Sequence, residues 1–115
     1  MKKVILDTSF IISCVKQKID FFEEISLMGM KILIPKEVIE EIEKLNNSDS
    51  KLSLKILGKD RFEKISIGKG HVDNRIVKFA RENEGIIVAT LDKEIKKRVK
   101  NNKLIIRGRK KLEVV

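Results

Sequence analysis

Tryptophan and tyrosine are absent from the 115 residues, cysteine, histidine and proline occur once each, and phenylalanine occurs five times. Phe10 and Phe79 sit in apolar surroundings that assign them to a core, so no platform for stacking bases is evident and recognition by aromatic stacking is disfavoured. Cys14, alone in an apolar helical segment, reads as a buried thiol. His71 lies near a loop and is left out of the candidate site. No apolar run approaches the roughly 18 residues of a membrane span, and no signal sequence is recognisable, so a soluble, cytoplasmic protein with no membrane contact is expected. The length suits one domain spanning 1–115, large enough for a core that needs neither disulfide nor structural metal.

What the chain does have is alternation of short apolar runs with periodic segments. The pattern predicts strand 3–6, helices 9–17 and 20–28, strand 31–34, helices 36–45 and 50–58 and strand 63–66. Helix 73–83, strand 86–89, helix 93–101 and strand 104–106 complete the path, with 112–115 as an added edge strand. Asn46, Asn47, Ser48, Asp49 and Ser50 read as a turn, and 58–69 carries the weakest signal. Such an order implies an α/β protein with a mostly parallel sheet.

Four acidic residues stand where such a sheet would bring them to one edge. Asp7 follows the apolar run Val4, Ile5, Leu6 at the end of the first strand, before a helix that Thr8 or Ser9 can cap. Asp92 repeats the grammar after Ile86, Ile87, Val88, Ala89. Ligands bind beyond the carboxyl ends of strands in open α/β sheets, so the two acids are neighbours if their strands are parallel and adjacent. Glu41 follows from helical phase in KEVIEEIEKL, which Pro35 opens. Relative to the face of Val38, Ile42 and Leu45, Glu41 lies about 60° from the centre, Glu40 about 160° and Glu43 about 130°. Glu41 therefore points inward, where a carboxylate needs a partner or a cation. Asp73 opens the helix with Ile76, Val77, Phe79 and Ala80, and helix capping alone would account for it, as it would for Asp92.

Two carboxylates about 4 Å apart repel by about 4 kcal/mol at an effective dielectric of 20, so four would not gather without compensation. A divalent cation supplies it. Oxygen-only ligation selects Mg²⁺ or Mn²⁺ over zinc, for which only His71 and Cys14 are on offer.

Charge is unevenly spread. Residues 1–58 hold nine Lys or Arg against nine Asp or Glu, whereas residues 59–115 hold seventeen against eight, so the net +9 lies wholly in the second half. Lys96, Lys97, Arg98, Lys100, Lys103, Arg107, Arg109 and Lys110 follow Asp92 closely. That density favours salt-sensitive contacts to phosphates carrying little sequence information, although lysines also simply solvate a helix face.

The segments VILDTSFII, IPKEVIEEIEKL, HVDNRIVKFA and IIVATLDKEIKKRV together resemble a PIN-domain ribonuclease over nearly the whole chain. The resemblance implies a three-layer α/β/α sandwich with a central, mostly parallel sheet, and Asp7, Glu41, Asp73 and Asp92 as the acidic metal-binding and catalytic set, with Ser9 and Thr90 as polar neighbours of the metal. Leu91 departs from the family, since many members carry a polar residue between the Thr and the Asp. Glu40 directly precedes Glu41, and the family's Val-x-x-Glu pattern also selects Glu41.

The expectation is a metal-dependent endoribonuclease that leaves 5′-phosphate and 3′-hydroxyl ends, gripping RNA with Lys96, Lys97, Arg98, Lys100, Arg107 and Arg109. It would act as a toxin of a toxin–antitoxin pair or as an rRNA-processing nuclease, with an antitoxin or ribosome-assembly partner and a homodimer as its associations. The competing expectation is a non-catalytic RNA-binding or scaffold module of the same fold.

Overall fold

The computed structural model describes residues 1–59, 61–108 and 110–115. Strand β1 (Lys3–Leu6) leads into α1 (Thr8–Lys16) and α2 (Phe21–Leu27), and β2 (Lys31–Pro35) into α3 (Lys36–Leu45) and α4 (Ser48–Lys59). After β3 (Glu63–Ile65) come α5 (Val72–Glu82), β4 (Ile87–Ala89), α6 (Lys93–Arg98), β5 (Lys103–Arg107) and β6 (Lys111–Val114). No helix among the described residues is long and apolar enough to cross a membrane.

The six strands form one sheet in the order β3-β2-β1-β4-β5-β6, parallel except for β6, which runs antiparallel to β5. Chain order reverses between β1 and β4, and their register pairs Ile5 with Val88 and Leu6 with Ala89. Successive connections run outward to the β3 side and then, after α5, outward to the β6 side. Right-handed crossovers therefore put the two sets of helices on opposite faces. α1, α3 and α4 pack together, as do α5 and α6, which gives the α/β/α sandwich.

The central strands carry apolar side chains on both faces, as a covered parallel sheet requires. Val4, Ile5, Leu6, Ile34, Val88 and Ala89 have at most 2% exposure, as do Phe10 and Phe21, whose rings meet edge to face at 6.3 Å between centroids. Each fully buried side chain of this kind stabilises the fold by about 1.5–3 kcal/mol. Phe79 is half-buried and packs against the same core.

Two expected boundaries move for identifiable reasons. The turn at 46–50 contracts to Asn46 and Asn47: Asn46 ends α3 in the left-handed conformation (φ 47°), and Asn47 Oδ1 accepts from Ser50 N at 2.8 Å, so α4 starts at Ser48. Helix 93–101 stops at Arg98, because Val99 is extended and turns the chain so that Asn101 is buried. Its Nδ2 donates to the carbonyls of Ala80, Asn83 and Ile86 at 3.0–3.1 Å, tying the chain after α6 to the end of α5.

Candidate active site

All four acids lie at or just beyond the carboxyl edge of the sheet, where chain order reverses between β1 and β4. Such reversals open a crevice, because the connections on either side leave in opposite directions. Asp7 sits at its floor with 4% exposure. Its extended backbone (φ −95°, ψ 161°) makes Asp7 itself, rather than Thr8 or Ser9, the cap of α1, and Oδ1 accepts from Thr8 N at 2.7 Å. Oδ2 accepts from Thr90 Oγ1 at 2.7 Å and from Ser9 Oγ at 3.1 Å.

The two hydroxyls also bind the chain beyond β4. Ser9 Oγ accepts from Leu91 N at 3.1 Å, and Thr90 Oγ1 accepts from Asp92 N at 3.0 Å. Ser9 and Thr90 thus do two things at once: they orient the Asp7 carboxylate and lock the strand end that carries Asp92. Leu91 takes part through its backbone, so the apolar side chain there leaves this network intact. Burial pushes the Asp7 carboxyl above the ordinary carboxylate range, the bonds from Thr90, Thr8 and Ser9 oppose that rise, and the charge of Asp73 adds to it.

Glu41 is half-buried on α3, with Glu40 and Glu43 exposed, in keeping with the phase of the helix. Its Oε1 accepts a hydrogen bond from Thr8 Oγ1. Thr8 is therefore a site residue that sequence reading assigned only to capping; the signal for it was the Asp-Thr-Ser triplet, but its partner lies 33 positions away.

Asp73 occupies the first turn of α5 and does not cap it. His71 holds the cap position, without a side-chain bond. Partial burial, the charges of Asp92 and Glu41, and a carboxyl–carboxyl contact with Asp92 all push the Asp73 carboxyl up, and His71 pulls it slightly down. Asp92 does cap its helix, with Oδ1 accepting from Glu94 N at 2.8 Å. Capping thus accounts for part of the placement of Asp92, whereas Asp73 makes no capping bond and gains only what the helix dipole gives a first-turn acid.

Asp73 links the set electrostatically to Asp92, Glu41 and Asp7. Among the described residues no three His, Cys, Asp or Glu side chains draw in as tightly as a formed metal cage, and none of the four acids forms a salt bridge. Like charges at this spacing spread rather than converge. The donor set is all oxygen, Cys14 is fully buried in α1, and its thiol is pushed up to about 12, chiefly by burial. These donors fit a hard divalent cation and offer no soft ligand.

The basic residues divide between two edges of the sheet. Arg107 ends β5, parallel to β4, so it lies at the acid edge, where its Nε pairs with Glu113 at 3.1 Å. Lys100 precedes β5 and lies towards the opposite edge, in a groove of about 650 Å³ shared with Arg81, Lys97 and Arg98. Lys96 is half-buried, and Lys97 approaches Glu94 at 4.0 Å. Arg98 is exposed, and its Nη1 donates to Asn74 Oδ1 at 2.8 Å, tying the end of α6 to the first turn of α5. Arg109 lies outside the described residues.

Comparison with known proteins gives a consistent picture. The model of the family described as PIN like domain matches residues 4–111. The chain is 32% identical over 127 aligned residues to Ribonuclease VapC4 of Methanocaldococcus jannaschii, covering 99% of this chain and 97% of that protein. It is 36% identical over 102 residues to the rRNA-processing protein fcf1 of Schizosaccharomyces pombe, covering 84% of this chain and 53% of that protein, so it spans about half the length of that relative. Among solved structures, the PIN domain endonuclease Utp24 superposes with a TM-score of 0.84 at 30% identity, over 97% of this chain and 90% of that one.

Proposed function

The chain belongs to the PIN-like domain family, and on that premise we propose that it is a divalent-metal-dependent endoribonuclease whose centre is Asp7, Glu41, Asp73 and Asp92. The observation that carries the proposal is the shared edge of the sheet: Asp7 and Asp92 follow the adjacent parallel strands β1 and β4, and Asp73, which does not cap its helix, has its carboxyl pushed up by partial burial and by the charges of Asp92 and Glu41. Such a placement costs stability and is explained by a bound cation. The relatives named as ribonuclease and PIN endonuclease support RNA as the substrate.

In this reading the four carboxylates would hold Mg²⁺ or Mn²⁺. The ion would supply Lewis-acid chemistry, lowering the pKa of water and offsetting phosphate charge. Thr90, Ser9 and Thr8 keep Asp7 and Glu41 oriented, so little rearrangement is needed when RNA arrives. Arg107, at the acid edge of the sheet, and Arg98, steadied by Asn74 on α5, would contact backbone phosphates of the bound strand. Lys96, Lys97 and Lys100 would carry the strand away along α6.

The test is incubation of purified protein with single-stranded and structured RNA in Mn²⁺, Mg²⁺ or EDTA, alongside Asp7→Asn and Asp92→Asn. Cleavage should need the ion, yield 5′-phosphate ends and fall at least about 100-fold in both variants. Cleavage that survives both substitutions would sink the assignment. A toxin-type role and an rRNA-processing role, the latter suggested by the fcf1 name, are separated by whether the protein cuts tRNA, rRNA or mRNA or instead trims a precursor rRNA at a unique position.

A further inference from the structure

The segment between β3 and α5 is gripped at one residue, Ile67, through the two peptide groups that flank it. Ile67 N donates to Glu37 Oε1 at 3.1 Å, Ser66 Oγ donates to Glu37 Oε2 at 2.9 Å, and the Ile67 carbonyl accepts from Arg75 Nε at 2.7 Å. The Ile67 side chain is buried in the core, which fixes the peptide from a third direction. Gly68 follows with φ 93°, a conformation that favours glycine, and a Cβ there would stand 2.7 Å from Arg75 Nη2. Arg75 is held through Nε, so it cannot swing aside without giving up the carbonyl.

The two side chains that make this grip belong to the two helices whose acids stand furthest from the sheet. Glu37 lies one helical turn before Glu41 in α3, and Arg75 lies two residues after Asp73 in α5. α3 packs mainly on α4, α1 and β2, whereas α5 packs mainly on α6, and the Ile67 backbone forms a polar bridge between them. Partial burial works against the Glu37 carboxylate, yet the bonds from Ile67 and Ser66 and the nearby Lys36 charge hold its carboxyl below the ordinary range. Both side chains that hold Ile67 are therefore charged, and hydrogen bonds to charged groups are the stronger kind.

We propose that Glu37 and Arg75 are positioning residues that clasp the Ile67 backbone from both sides and so set the spacing of Glu41 and Asp73 across the divalent-cation site. The proposal rests on the metal reading above. Neither residue touches the ion; each acts through the helix it shares with an acid. Loss of outer partners of metal ligands weakens binding by about 10–100-fold, and these residues, being further out, belong at the lower end.

The experiment is calorimetric titration of the full chain with Mn²⁺ alone, at a temperature well below melting, for wild type, Glu37→Ala, Arg75→Met and Glu37→Gln. RNA affinity in EDTA is measured in parallel. Glu37→Ala and Arg75→Met should bind Mn²⁺ about tenfold more weakly with unchanged RNA affinity. Glu37→Gln, which keeps an acceptor for Ile67 N, should restore most of the loss. Should Glu37→Ala fail to fold, Arg75→Met alone carries the expectation of weaker binding. A Glu37→Ala or Arg75→Met that binds Mn²⁺ like the wild type overturns the clasp, as does a Glu37→Gln that binds no better than Glu37→Ala, and so does an Arg75→Met that loses RNA affinity while keeping its Mn²⁺ affinity, which would make Arg75 an RNA contact. A wild type that binds no Mn²⁺ overturns the metal reading itself, and the clasp falls with it.

Discussion

Replacing Asp73 by asparagine should make the metal-free protein more stable while abolishing its activity. Partial burial and the charges of Asp92 and Glu41 disfavour the Asp73 carboxylate, and it does not cap α5, so the substitution removes these costs without removing a backbone bond. Two full charges about 4 Å apart at a dielectric of 20 would repel by about 4 kcal/mol. Asp73 is exposed, however, and solvent and salt screen surface pairs to roughly 1 kcal/mol or less. For a chain of this size that gain raises Tm by about 4 °C. The pH dependence has a definite sign. The folded carboxyl keeps its proton to higher pH than the unfolded one, so the wild type is relatively stable in acid and loses stability as pH rises through the raised value. The advantage of Asp73→Asn should therefore be full at neutral pH and vanish below the ordinary aspartate range. Thermal melts in EDTA at several pH values check this, and Mn²⁺ should reverse the order by stabilising the wild type more. A variant that melts lower than the wild type at neutral pH in EDTA, or whose gain is the same in acid, refutes the repulsion argument.

Four further outcomes follow from particular contacts. Thr8→Val removes the hydroxyl that Glu41 accepts from, and should leave Tm nearly unchanged while weakening Mn²⁺ binding about tenfold, read by calorimetry. Asn101→Ala strands buried carbonyls at the end of α5 and should cost about 2 kcal/mol in urea unfolding, with cleavage per folded molecule intact. Arg98→Ala should lower RNA affinity and flatten the salt slope by about one phosphate contact, and an unaltered slope would reduce Arg98 to a solvated side chain. Cys14, buried and with its thiol pushed up to about 12, should resist alkylation at pH 8 in the native protein and react fully in denaturant.

Legibility of this fold in its sequence tracked how local each signal was. Apolar runs ending in an acid marked the ends of β1 and β4, because a strand buried on both faces needs such a run and a polar residue must end it. Strand order was invisible there: that β1 and β4 are neighbours is settled by pairing across 83 residues. Glu41 was separable from Glu40 and Glu43 since helical phase is carried by a few adjacent side chains, and its half-burial follows that phase. Thr8 was misassigned for the opposite reason, its hydroxyl being aimed at a helix far along the chain. Asn101 ended α6 early through bonds to α5, which no helix propensity encodes. The Ile67 clasp fell in the stretch with the weakest periodicity, where the backbone is held by side chains from two distant helices. Charge counting located the basic half of the chain but not its distribution, and only the parallel sense of β5 separates Arg107 from Lys100.

The central claim is that Asp7, Glu41, Asp73 and Asp92 together hold a divalent cation, and anomalous diffraction from crystals soaked in Mn²⁺ tests it most directly. The account predicts a peak within coordination distance of Asp7 and at least one other of the four, lost in Asp7→Asn crystals treated alike. A peak elsewhere, or one that persists unchanged without the Asp7 carboxylate, would contradict it.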